Sequence, residues 1–358
     1  MLPGTDMQHK RLLLISGVSI SKRAEDISPD DPFPDYLALR NALQPDMLDP
    51  DTIGKTHSLI VRLVQRVCGI NWAIAFAALL AARRYGAILA TGEDVGLNLA
   101  FLAKLFRRRW PIVLICHNMT TRRRSFFLRK LKVGSHIRTF LCLSDAQAEI
   151  VMERYGIERE RITLIYWAVD HRFFCPDRAA VVQRQICSAG AASRDYATLV
   201  QAAQGLDVDL KIAADSAWFP QRLNISADQL PTNVEARSYG NYRALRELYA
   251  RSLFVVVPLQ NVDFSAGYSV ILEAMAMGKA VIVSRIKQQD SFICDGETGL
   301  YVAPGATAEL RDRIRFLLDH PEEAQRLGNN ARTAVEERFT LDHFVERVHE
   351  AIARATGS

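Results

Sequence analysis

In the stretch VVVPLQNVDFSAGYSVILEAMAMGKAVIVS, Val255–Ser284, the apolar helical run holds a single carboxylate, Glu273. The small residues Ser265, Ala266 and Gly267 precede it and allow a close backbone approach. A helix that opens near Gly267, Tyr268 and Ser269 presents N–H groups without intrahelical partners, which suits a phosphate by geometry and by dipole. An acceptor-only side chain one to two turns further in can take hydrogen bonds from a diol such as a ribose. The same carboxylate can equally pair inside a packed helix, and spacing alone leaves both roles open.

Other residues stand where strands end. PIVLICHN places His117 just beyond an apolar strand, where it either orients a ligand or serves the structure. TGEDVG sets Glu93 and Asp94 at another strand end. They suit acceptor hydroxyls, and acids at a helix start are also favoured by the dipole alone. The triplets Asp49–Asp51 and Asp207–Asp209 match a metal-binding D-x-D only superficially, and no metal site is expected from them. Six cysteines lie scattered without C-x-x-C spacing, which reads as reduced thiols of a cytosolic protein.

Strands and helices alternate around these residues. RLLLISGV, GAILATG, PIVLICHN, TFLCLS and RITLIYW read as buried parallel strands, with helices over Ile60–Arg84, Gly96–Arg107 and Asp145–Tyr155 between them. Ser144 is placed to cap the last of these. The pattern restarts with QICSAG, DLKIAA and LFVVVP and ends in a long helical run. Two such series meeting near DHRFFCPDRAA, Asp170–Ala180, predict an α/β chain of two Rossmann-like, doubly wound parallel-sheet domains facing across a cleft.

The 358 residues carry a net charge of +5, unevenly spread. Between Lys104 and Arg138 stand eleven Lys/Arg and no acid, with Phe126, Phe127, Leu128 and Leu131 interleaved. Arg107–Arg109 and Arg122–Lys132 therefore suit an anionic membrane surface or form a solvated basic face; nucleic acid is not expected. VCGINWAIAFAALLAA is shorter than the roughly 20 residues a span needs and reads as a buried or half-buried helix. The N-terminus lacks an apolar core of signal-peptide length.

EAMAMGKAVIVS and the following DGETGLYVAPG resemble the C-terminal signature of family 4 glycosyltransferases, a Glu, seven residues, then Glu-Ala-x-Ala-x-Gly-x-x-Val-Ile. HPEEAQRLGNNARTAVEERFTLDHFVERV resembles the family's terminal helices, and LCLSDAQAE, ITLIYWAVDHRFFCP and SAGAASRDYATLVQAAQGL resemble its upstream elements. The resemblance implies the GT-B fold, with residues 1–172 an acceptor-side domain, 173–340 a nucleotide-sugar-binding domain, and 341–358 a helix packing back toward the first.

It further implies a retaining, metal-independent transfer from a nucleotide-diphosphate sugar, with no cofactor; if the basic segments meet a membrane, the expected acceptor is a glycan or lipid-linked acceptor in polysaccharide biosynthesis. Glu273 would bind the donor ribose. Gly190, Arg194, Ser265, Ala266, Gly267, Tyr268 and Ser269 would line the donor diphosphate, and His117 would serve catalysis near the donor sugar. Glu93 and Asp94 fall on the acceptor side. The sequence departs from the pattern twice: the first family Glu falls at Ser265, and Ala191 stands where relatives usually place an Arg. A non-catalytic nucleotide or glycan binder and a nucleotide-sugar epimerase remain as alternatives. A cytoplasmic location is expected from the scattered thiols, and the basic segments, where they meet a membrane and not solvent alone, would place the protein at the inner face of the plasma membrane.

Overall fold

The computed structural model describes residues 11–177, 179–214, 230–262, 264, 266–287 and 291–357. They divide into two compact units. The first takes residues through Ile27, Pro34–Tyr166 and Phe344–Ser358, and the second takes Ser28–Phe33 and Trp167–His343. The short N-terminal excursion is tied into the second unit by the Phe33 N–H, which donates to the Asp170 carboxylate at 2.8 Å.

The first unit is a six-stranded parallel sheet of β1 (Leu12–Ile15), β2 (Asp46–Leu48), β3 (Ala87–Ala90), β4 (Ile112–Cys116), β5 (Thr139–Cys142) and β6 (Ile162–Leu164), in the order β2-β1-β3-β4-β5-β6. Strands β3, β4 and β5 are buried throughout, as their unbroken apolar runs require. The edge strand β2 has no such run; Asp46, Met47 and Leu48 are half-buried, and nothing in their sequence marks a strand. The expected Ile60–Arg84 helix is two helices, Leu59–Cys68 and Ile70–Ala81, because Gly69 adopts φ 91° between them. Ser58 caps the first by accepting from the Val61 N–H, and Ser144 caps Asp145–Tyr155 by accepting from Gln147. No described helix is long and apolar enough to cross a membrane.

The second unit repeats the plan with β7 (Gln185–Ala189), β8 (Asp209–Ala213), β9 (Val234–Arg237), β10 (Val255–Val257), β11 (Val281–Ser284) and β12 (Leu300–Val302). Their order, β12-β11-β10-β7-β8-β9, is that of the dinucleotide-binding fold, with the direction of winding reversing between β7 and β10. Ile186, Leu210, Phe254 and Ile282 are fully buried in its core. The loops leaving β7 and β10 therefore lie side by side at the switch point, where sheets of this type open a crevice for ligands.

Asp49 of the first triplet is an internal capping group, which removes it as a metal ligand. It is fully buried, accepts the Thr52 N–H at 2.9 Å and receives the Ile20 N–H at 3.1 Å, while Asp51 accepts the Ser19 hydroxyl at 3.0 Å.

Candidate active site

At the switch point of the second unit the two loops are zipped together. The Asp195 N–H donates to Pro258 O at 3.0 Å, the Gln260 N–H donates to Ser193 O at 2.9 Å, and Gln260 Nε2 reaches Arg194 O at 3.2 Å. Gly190 leaves β7 with φ +88°. Arg194 folds back over it: Nε donates to Ala189 O and Nη1 to Ala192 O, both at 2.9 Å, and the residue is 9% exposed. The Tyr196 hydroxyl donates to Gly190 O. Burial lowers the Arg194 pKa, against the pull of Tyr196, Tyr249 and Glu273, the groups around it.

The second loop leads into the Tyr268–Ala276 helix. Gly267 caps it at φ 84° and, as a glycine, brings no side chain to the first turn. Ala266 is buried, Gly267 half-buried and Ser269 exposed. Tyr268 is 4% exposed, its ring packed between Trp167 (6.1 Å) and Phe292 (4.8 Å), so what it offers a ligand is its backbone. Ser265, and Asp263 before it, lie outside the described residues.

Glu273 sits one and a half turns into this helix, 8% exposed. Its Oε2 accepts the hydroxyl of Tyr249, a fully buried side chain, at 2.9 Å. Burial pushes the carboxyl up to about 7, with the Tyr249 hydrogen bond and the Arg194 charge working against that rise. Tyr249 is pushed well above its ordinary value by burial and by the neighbouring carboxylate. Among the described residues no hydrogen-bond donor reaches Oε1.

In the first unit, His117 follows β4, and its Nε2 donates to Thr91 O at 2.8 Å, since a backbone carbonyl only accepts. Glu93 holds this turn. Its Oε1 accepts the N–H groups of both His117 and Asn118 at 2.7 Å, and Oε2 lies 3.5 Å from Arg124. At 2% exposure it has no surface for an acceptor, so the acceptor-side expectation for Glu93 is replaced by a positioning role. Asp94 is exposed and lies 3.5 Å from the same guanidinium. Arg124 thus turns inward, away from the outward basic face expected of Arg122–Lys132. Glu93→Ala should lower stability by about 2–4 kcal/mol, since two backbone donors and a guanidinium lose their acceptor. Asp94→Ala should cost under about 0.5 kcal/mol; urea unfolding of both variants measures the difference, and equal losses would sink this division of labour.

Residues 34–173 match the family described as Glycosyltransferase Family 4, and residues 196–334 match Glycosyl transferases group 1. The chain is a family 4 glycosyltransferase. The glycosyltransferase is 25% identical over 280 residues to the MMP alpha-(1->4)-mannosyltransferase of Mycolicibacterium hassiacum, covering 71% of this chain and 67% of that one. It is 28% identical over 140 residues to the alpha-D-kanosaminyltransferase of Streptomyces kanamyceticus, covering 38% of this chain and 35% of that one. Its fold is like that of Anabaena HepE in complex with UDP-glucose (TM-score 0.69, 15% identity, 97% of this chain, 100% of that one). It is also like that of sucrose-phosphate synthase from Thermosynechococcus elongatus (TM-score 0.71, 17% identity, 97% and 100%). At these identities the two structures speak to the GT-B fold alone.

The structure of the glycosyltransferase adds two residues that no motif marked. Tyr249 stands 24 positions before its partner Glu273, on the Tyr242–Arg251 helix, and reads in sequence as an ordinary core aromatic. Asp35 opens the Asp35–Leu43 helix, beyond a loop without recognisable motif. Burial raises its carboxyl above the ordinary value while the charge of His117 lowers it, so the fold brings an acid into the electrostatic surroundings of His117.

Proposed function

We propose that this glycosyltransferase transfers a hexose or related sugar, with retention and without a metal, from a nucleoside-diphosphate sugar to a glycan or lipid-linked acceptor. The observation that carries the reading is the pairing on one helix of a Gly267-capped N-terminus with Glu273, whose Oε2 is fixed by Tyr249 and whose Oε1 faces no protein donor among the described residues. The helix terminus takes the diphosphate, with the positive potential of the Arg194 loop beside it, and Glu273 takes the ribose hydroxyls. Relatives named for mannosyl and kanosaminyl transfer, and a like-folded protein crystallised with UDP-glucose, support this donor class.

In the proposed reaction the bond from the anomeric carbon to the leaving phosphate oxygen breaks, and a bond from the acceptor oxygen forms on the same face. The acceptor proton passes to the departing phosphate. The fixed dipoles at the helix terminus stabilise the charge growing on that phosphate. His117, held by Thr91 and by the Glu93-anchored turn, orients the sugar. The basic segments Arg107–Arg109 and Arg122–Lys132 bring the enzyme to a cytoplasmic lipid surface, where a lipid-linked acceptor would lie.

A second reading, a nucleotide-binding protein without turnover, is favoured by Ala191 at a usual arginine position and by Arg194 giving two donors to its own loop. A panel of nucleotide sugars, scored for hydrolysis and thermal stabilisation with and without EDTA, separates the two. Turnover that survives the chelator and keeps the donor's anomeric configuration is expected. Stabilisation without turnover, or an inverted product, would overturn the proposal.

A further inference from the structure

The Leu59–Cys68 helix leaves most of its apolar surface uncovered. Leu59 is 78% exposed, Ile60 61%, Leu63 61% and Val67 74%, while only Val61 is buried toward the core. At 3.6 residues per turn these four fall within about 100° of arc, and Arg62 and Arg66, both exposed, border it. The core-facing arc is filled by Val61 and Val64. A soluble helix with this composition would turn its leucines inward; here the opposite face carries them.

The surroundings share one sign of charge. No acidic residue occurs between Asp51 and Glu93, whereas Lys55, Arg83 and Arg84 are all exposed. The helix packs on Ile70–Ala81, which packs on Glu93–Leu105. Trp72, Phe101 and Phe127, with ring centroids 5.8–6.3 Å apart, continue this layer to the turn holding Arg122–Lys132. In that turn Phe126 is 53% exposed beside exposed Arg122, Arg123, Arg129, Lys130 and Lys132. Leu105 and Phe106, 62% and 52% exposed, precede Arg107–Arg109 in the same layer. Exposed apolar side chains bordered by cations, with exposed Asp94 at the edge of the layer offset by Arg124 at 3.5 Å, complement an anionic bilayer, whose headgroups meet the arginines while the acyl boundary takes the leucines.

We propose that the Leu59–Cys68 helix is an interfacial anchor, lying in the headgroup region of an anionic bilayer with Leu59, Ile60, Leu63 and Val67 buried in it. The inference rests on the reading that the basic segments meet a lipid surface, and adds to it the element that inserts. It assigns adhesion to a hydrophobic contact that salt does not screen, next to an electrostatic one that salt does.

The test is cosedimentation of the full chain with phosphatidylcholine vesicles, with and without phosphatidylglycerol, at low and moderate salt. The wild type should bind the anionic vesicles at both salt levels. Leu63→Glu with Val67→Glu should weaken binding about tenfold or more, with thermal unfolding and lipid-free donor hydrolysis unchanged because both side chains are exposed. Arg122→Glu with Arg123→Glu should weaken binding mainly at low salt. Full vesicle binding by the Leu63/Val67 variant, with loss in the Arg122/Arg123 variant, overturns the anchor and leaves the electrostatic reading standing. No binding by the wild type overturns both. A concentration-dependent dimer in sedimentation velocity that dissolves in the Leu63/Val67 variant, without vesicle binding, would assign the face to a second copy of the chain and overturn the proposal.

Discussion

Glu273→Gln should lower donor turnover about 10- to 100-fold, because a charged acceptor to the ribose becomes a neutral one while the side chain keeps its shape. Gln retains a carbonyl oxygen for the Tyr249 hydroxyl, so the helix should stay in place. The pH dependence supplies a second reading of the same substitution. In the folded protein this carboxyl is held near 7, above its ordinary 4.5, by burial. The folded state therefore holds the proton more tightly than the unfolded chain. Its contribution to stability is fully present below about pH 4.5 and is lost as pH rises through about 7, amounting to about 3 kcal/mol. Unfolding followed from pH 5 to pH 8 should show a fall in the wild type that is missing in the variant. Donor binding should run the other way, tightening as Glu273 ionises and can accept from the diol. Donor binding with the same pH slope in wild type and variant would remove Glu273 from the donor site.

The second large effect is expected at Gly190. An added Cβ would stand 2.6 Å from Arg194 Nη2, and φ +88° is strained for any side chain. Gly190→Ala should cost about 1–3 kcal/mol of stability. The guanidinium would be pushed off the Ala189 and Ala192 carbonyls, and nucleotide affinity should fall about tenfold. Arg194→Ala removes the atom that clashes, so the double variant should be less destabilised than the sum of the singles. Urea unfolding of the four proteins measures that coupling directly, and strict additivity would show that Gly190 and Arg194 do not constrain each other.

The parts of this architecture that could be read in one dimension are those with local causes. Strands β4, β5 and β10 are unbroken apolar runs because both faces are covered, and Ser144 caps its helix through a contact three residues away. The edge strands β2 and β9 were illegible for the converse reason, since half-covered edges carry no apolar signature. Gly69 was legible as a glycine, but whether it sits inside a helix or ends one depends on how the two flanking segments pack.

Sequence by itself determined the α/β alternation, the position of the Tyr268–Ala276 helix and the glycosyltransferase signature, because strand burial, helix periodicity and a glycine-capped helix start are written in neighbouring residues. Tertiary structure alone decided how each polar group is spent. Glu93 and Asp49 satisfy backbone donors, Arg194 returns to its own loop, and Glu273 meets a tyrosine on another helix. It also decided that Leu63 and Val67 face outward. Exposure and hydrogen-bond partnership depend on which distant segments pack together, and no local pattern of residues encodes that.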